Sequence, residues 1–246
     1  MNYLNPWDYY NPTGDGFIRV DDLLGVIEHF SPEGDPPYDV LYDKGPPDGV
    51  IDLPNDILGM ILRYHDDCST PPVPGPTPPA SAGLAFSIGV DTDGDTTDDC
   101  DTSGGSTACT LPDISFTVNL YLDSLPTGVS DYVALQTRLD YSGAGFPTSD
   151  TYLQDWVDCH GATMFVNEFP GQLDMACLTY LLPPAFDSFY TGQIGSVDFD
   201  CITDGQISLV HGEIDTALFE DAATFHIEGN ASTETLSITC DGPTPT

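Results

Sequence analysis

From residue 84 to residue 240 apolar and polar residues alternate in short runs. The runs are "AFSIGV", "ISFTVNLYLDSLP", "DYVALQTRLDYS", "SFYTGQIGSVDFDC", "GQISLVHGEI", "ATFHIEGN" and "TETLSITC", separated by Gly, Pro, Asp and Asn turns. Period-two alternation between turn residues predicts half-buried strands. At least seven short strands with no long helix between them predict an all-β antiparallel sandwich. In the second run Phe116, Val118, Leu120 and Leu122 share one face and are expected to be buried. In the third, Tyr132, Ala134, Gln136 and Arg138 share a face, and the polar pair breaks the apolar alternation and predicts an edge position.

Before residue 70 the period changes. Apolar residues recur at helical spacing, first Leu23, Leu24, Ile27 and Phe30, then Ile57, Leu58, Ile61 and Leu62, and are expected to form a small shared core. Each run follows an Asp-Gly turn: "NPTGDGFIRVDDLLGVIEHF" (Asn11 to Phe30) and "PDGVIDLPNDILGMILRY" (Pro47 to Tyr64). Asp22-Leu23-Leu24-Gly25 aligns with Asp56-Ile57-Leu58-Gly59 about 34 residues further on, so the unit is a duplicated loop-helix. The proline-rich tract "STPPVPGPTPPASAG", Ser69 to Gly83, predicts an extended, semi-rigid connection. The expected organisation is a loop-helix module over 1–68, a linker over 69–83, a sandwich over 84–241 and a Pro/Thr tail over 242–246.

The loops carry oxygen ligands at a recognisable spacing. Calcium loops take ligands at positions 1, 3, 5, 7, 9 and 12, with glycine at 6 for the sharp turn. With Gly16 at position 6, Asn11, Thr13, Asp15, the Phe17 carbonyl and Asp22 fall on ligand positions. Arg19 falls on position 9 and cannot ligate, so water or a neighbouring carboxylate such as Asp8 has to fill it. The alternative is a polar turn that caps a helix. In the second copy the candidates are Asp43, Asp48, Asp52, Asn55 and Asp56, with one extra residue between Gly49 and Asp56. A third acidic stretch, "DTDGDTTDDCD", spaces Asp91, Asp93 and Asp95 as D-x-D-x-D. No helix follows it, which leaves either a calcium site at a sandwich edge or a solvated acidic loop.

Composition narrows the function classes. With 40 acidic and 4 basic residues the formal charge is −36, which excludes nucleic acid and anionic membrane as natural partners, because phosphate binding needs clustered Lys and Arg. Divalent cations and a basic or calcium-bridged partner are favoured. No apolar run reaches membrane-spanning length. Seven cysteines point to an oxidising compartment. The expected pairs are Cys100–Cys109, Cys159–Cys177 and Cys201–Cys240, with Cys68 left over. "MNYLNPWDYY" lacks the features of an export signal, so secretion implies that the signal is not present in this chain. Asn230-Ala231-Ser232 is the usable glycosylation sequon. The five histidines are scattered, and there is no Gly-x-Ser-x-Gly, His-Glu-x-x-His or phosphate loop. The chain is therefore expected not to be an enzyme, and His211 and His226 are expected to be partly buried ring donors within strands.

The duplicated calcium loop-helix between Trp7 and Cys68, carried by "GDGFIRVDDLLGVIEHF" and "PDGVIDLPNDILGMILRY", resembles a dockerin module. That resemblance implies calcium at Asp15, Asp22 and Asp48 and docking onto a cohesin. In turn, "FTVNLYLDSLPTGVSDYVALQTRLDY", with "VDFDC" and "ISLVHGEI", resembles a cohesin, a jelly-roll sandwich. The stretch "YLQDWVDCHGATMFVNEFPGQLDMACLTYLLPP" has no counterpart in it. A donor and an acceptor on one chain imply an extracellular, calcium-dependent subunit that docks head to tail between chains into a filament. The alternative is a cell-surface adaptor or adhesin whose sandwich binds glycan or another protein.

Overall fold

The computed structural model describes residues 18, 20–31, 36, 39, 42, 49–51, 57, 60, 81–104, 106–111, 115–144, 147, 155–159, 164–179, 187–211, 216–220, 225–228 and 234–240. The elements in chain order are α1 (Val20–Glu28), β1 (Ala85–Asp91), β2 (Cys100–Asp101), β3 (Ala108–Leu111), β4 (Ser115–Ser124), β5 (Ala134–Ala144) and β6 (Met164–Phe169). They continue with β7 (Gln172–Leu178), β8 (Gly192–Leu209), β9 (Ala217–Phe219), β10 (Phe225–His226) and β11 (Glu234–Cys240). Among the described residues no helix is long and apolar enough to cross a membrane.

The strands form two layers joined by β8. Its first half, to Asp200, pairs antiparallel with β4, which pairs with β1 and through it β2. Its second half, from Cys201, pairs with β5 on one side and β11 on the other. β5 continues to β7 and β6, and at its start to β9 and β10. Alternation decides what fills the space between the layers. Phe116, Val118, Leu120 and Leu122 are all buried, as their register predicts, and pack with Phe86, Ile88, Leu135, Leu139, Val197, Phe199 and Ile207. Each such side chain contributes about 1.5–3 kcal/mol when removed from water.

All three disulfides form as paired in the sequence reading: Cys100–Cys109, Cys159–Cys177 and Cys201–Cys240. The second ties the segment around Trp156 to β7. Trp156 is fully buried, stacks on Tyr132 with ring centroids 5.3 Å apart, and donates its indole N–H to Ser188 Oγ at 3.0 Å.

Three strand expectations need correction. "SFYTGQIGSVDFDC" and "GQISLVHGEI" are one strand, β8, 18 residues long. The sandwich is not wholly antiparallel, because β3 pairs parallel with β11. Gln136 and Arg138 do not mark an edge: β5 lies between β7 and β9, and Gln136 is 1% exposed. The stretch without a counterpart supplies a sheet hairpin, β6–β7, turning at Pro170-Gly171.

The chain is mostly strand with one helix among the described residues. Ser31 and Ile51 exchange two backbone hydrogen bonds of 3.0 Å and tie the end of α1 to the second loop-helix segment. The expected second helix, Cys68 and the linker tract up to residue 80 lie outside the described residues, apart from Ile57 and Met60, both buried.

Candidate functional site

The expected small core of the N-terminal segment is not self-contained. Val20, Leu23, Leu24, Val26 and Ile27 of α1, with Ile18, Ile51, Ile57 and Met60, share one buried cluster with Val133, Ala134, Ala176, Leu178, Ala217, Phe219 and Ile227. The latter set lies on the outer face of the second layer. Register shows how that face is built. Ala134 stands between Leu178 and Phe219, and Gln136 stands between Ala176 and Ala217. One row is therefore apolar, and the next has alanines on both flanks, a low floor that lets a helix approach closely. The next residue along this face is Arg138, paired with Asp174. Its guanidinium reaches Gln172 Oε1 at 2.5 Å and Asp140 Oδ1 at 3.2 Å, and lies 3.8 Å from Asp174 Oδ1. The floor thus ends in an ion-pair border. At the C-terminal end of α1, His29 Nδ1 donates to the Gly25 carbonyl at 2.8 Å, and its ring stacks on Tyr42 at 3.9 Å.

Of the expected calcium ligands in the N-terminal loops, only Asp22 is described; Asn11, Thr13, Asp15, Phe17, Asp43, Asp48, Asp52, Asn55 and Asp56 lie outside the described residues, as does Asn230. Asp22 sits in the first turn of α1 with 3% exposure.

The D-x-D-x-D stretch covers the outer face of the first layer. Asp91 Oδ1 accepts from the amides of Asp93 and Gly94, at 3.1 and 2.7 Å, and its Oδ2 from the amide of Thr96 at 2.8 Å. Asp93 accepts from the Asp95 amide, and Asp95 from the Thr97 amide. The spacing thus builds a chain of side-chain-capped turns. Asp91 and Asp93 bring a carboxylate oxygen within 4.8 Å of one from Asp99; Asp95 is not in that group. Thr92 bonds to Asp99 through both amide and hydroxyl, which holds the Asp99 carboxyl below its ordinary value. Asp98 folds the loop back onto the sheet. It accepts from Asn119 Nδ2 at 2.7 Å and Tyr121 OH at 2.6 Å, and it fits because residue 89 is glycine: a Cβ there would stand 2.1 Å from its carboxylate. Burial, and then the bond to Asp98, push the Tyr121 hydroxyl well above its ordinary range.

A third polar group was not legible as a set. His211, just after β8, Glu228, after β10, and Glu234, at the start of β11, bring one ligand atom each within 4.8 Å of the others. The His211 side chain is 1% exposed, and neither ring nitrogen has a hydrogen-bond partner among the described residues, so it is not the ring donor expected of a strand histidine. Burial lowers its pKa to about 4. Burial raises that of Glu234 to about 7, against the opposing Thr102 hydrogen bond, and raises that of Glu228 against a 2.9 Å bond from the Phe86 amide. His226, by contrast, has one ring nitrogen bonded, Nδ1 to Ser81 Oγ at 2.9 Å, while its Nε2 lies 3.3 Å from Glu220 without a hydrogen bond.

No family model matches the sequence, and a search of curated proteins found no relative. Solved structures that match this chain include cohesin modules. A cohesin from a family 33 glycoside hydrolase of Clostridium perfringens has 11% identity and a TM-score of 0.39, covering 66% of this chain and 100% of its own. The sixth cohesin of Acetivibrio cellulolyticus scaffoldin B, solved with a dockerin, has 12% identity and a TM-score of 0.39 over 64% of this chain and 99% of its own. The third cohesin of ScaC from the same organism has 10% identity and a TM-score of 0.41 over 54% and 93%.

Proposed function

We propose that the chain is an extracellular, non-enzymatic structural subunit whose dockerin-like N-terminal segment docks on the outer face of its cohesin-like sandwich. In assembly, the segment of one copy takes that place on the next. The observation that carries this reading is the single apolar cluster shared by α1 and the face built from Ala134, Ala176, Leu178, Ala217 and Phe219. The linker is expected to favour docking between chains while leaving closure within one chain possible, and the shared cluster is made within one. The two are compatible, because a surface that accepts a segment from its own chain accepts the identical segment from a neighbour. Which closure wins depends on the effective concentration that the proline-rich Ser69 to Gly83 linker allows. Three disulfides support an oxidising, extracellular setting.

Calcium at the Asn11–Asp22 loop is part of this proposal. The metal would orient α1 through Asp22 and neutralise carboxylates in an acidic chain, so docking should weaken in chelator. The test uses separated fragments, Met1 to Ser69 and Gly83 to Thr246, and the intact chain. Fragments that bind in calcium and separate in chelator, with an intact chain that forms polymer in calcium, support head-to-tail assembly. Fragments that bind while the intact chain stays monomeric in calcium favour the adaptor or adhesin reading, in which the helix stays closed on its own sandwich. Fragments that ignore each other at high micromolar concentration overturn the docking reading.

A further inference from the structure

We propose that His211, Glu228 and Glu234 form a binding site for one divalent cation of the zinc class, separate from the calcium loops. Five segments converge there. Phe86 is the second residue of β1, Thr102 follows β2, His211 follows β8, Glu228 follows β10 and Glu234 opens β11. The imidazole is the telling feature. A buried ring with two unsatisfied nitrogens forfeits hydrogen bonds it would have in water. Nothing among the described residues compensates, yet His211 Nδ1 lies 3.6 Å from Glu228 Oε2, and Glu234 completes a set within 4.8 Å. The two partly buried carboxylates beside the ring escape the cost of burying charge only by holding protons, which is what raises both pKa values. A cation resolves both deficits at once: the ring nitrogen gains a ligand bond and the carboxylates gain a positive partner.

The donor set selects the metal. One nitrogen and two carboxylates suit zinc, cobalt or nickel, whereas calcium takes all-oxygen shells. Tetrahedral ligands at about 2.0–2.1 Å from zinc stand roughly 3.3 Å apart; the His211–Glu228 pair at 3.6 Å is close to that spacing, and the set, within 4.8 Å, draws in to reach it. The carboxylates are already oriented by neighbours, Glu228 by the Phe86 amide and Glu234 by the Thr102 hydroxyl. Such outer partners raise affinity by fixing ligand direction. Three protein ligands leave a fourth position for water or for a group from a partner.

The test titrates chelator-stripped full-length protein with zinc chloride in excess calcium, read by calorimetry and by metal content after desalting. One zinc per chain should be retained by the wild type and by Asp93→Asn, which alters only the surface acidic loop. His211→Ala and Glu234→Gln should each weaken binding about tenfold or more. Glu234→Gln keeps the side-chain shape, so it remains informative if His211→Ala fails to fold. Cobalt substitution gives an independent readout, with an intense visible band for low coordination that the Glu234→Gln variant loses. Zinc binding that is undetectable at high micromolar concentration, or retained equally by Glu234→Gln, overturns the proposal.

Discussion

The two outer faces of the sandwich are built on the same alternation and covered in opposite ways. On the second layer the outward positions are Ala134, Gln136, Ala176, Leu178, Ala217 and Phe219, and an apolar helix lies on them. On the first layer they include Ser87, Gly89, Thr117, Asn119 and Tyr121, and a polar loop folds over them through Asp98. Small apolar residues in the outward register mark a sheet that receives another element by area. Polar residues there, around a glycine, mark one that receives a loop by hydrogen bonds. The first kind of cover depends on volume and tolerates no charge; the second depends on direction and tolerates little extra volume.

The strongest way to break the helix cover is a charge beneath it. Ala176→Asp buries an unpaired carboxylate and should cost about 3–5 kcal/mol, seen as a fall in Tm with new protease cleavage before residue 80 while the sandwich core holds. Leu23→Ala, which leaves a cavity at a residue 1% exposed, should cost about 3 kcal/mol. Its cleavage pattern should match that of Ala176→Asp, because both release the same segment. Under the loop, Gly89→Ala should cost only about 1–2 kcal/mol, since Asp98 swings away and water replaces part of its bonding. Its diagnostic is spectroscopic: titration of Tyr121 should move down toward the ordinary tyrosine value as Asp98 leaves. An unmoved Tyr121 would show that Asp98 stays in place.

The smallest effect is a slope. Glu234 ionises near its ordinary 4.5 in the unfolded chain and at about 7 in the folded one. Its contribution to stability is full below the first value and lost as pH rises through the second. His211 acts in the opposite sense: its contribution is present above 6.5 and lost as pH falls through about 4. In metal-free protein, Glu234→Gln should therefore gain stability relative to wild type as pH rises from 4.5 to 7, in paired urea titrations. A constant difference across that range would refute the assignment.

Much of this architecture is written in the chain as period and turn chemistry. The alternation at Phe116 to Leu122 gave a buried face without error, and the cysteines paired as expected. The misreadings have physical causes. Asp204-Gly205 looks like a hairpin turn but lies inside β8, where the glycine serves close approach: a Cβ on Gly205 would stand 1.9 Å from the Ser142 carbonyl oxygen. Nearby, Gly143 takes a φ of +75° where the register between β5 and β8 shifts. Conversely, Phe169-Pro170-Gly171-Gln172 carries an adequate turn signal for β6–β7, with Gly171 at φ +82°, inside a stretch that has no counterpart in the cohesin pattern. Gln136 looked like an edge residue because alternation cannot anticipate a helix lying on the far face. The His211, Glu228 and Glu234 group is spread over three segments, and its members meet through non-local pairing, Glu234 standing opposite Leu209 at the end of β8.

The Cys201–Cys240 disulfide also sets a load path. A pull applied beyond Cys240 meets that cysteine first and passes directly to Cys201 in the longest strand. Residues 202–239, including the second half of β8 and most of β11, hang in a covalent loop that bears none of that tension. The joint acts as a shackle, and the extensible length of each subunit is shortened by the whole loop for as long as the sulfurs remain joined.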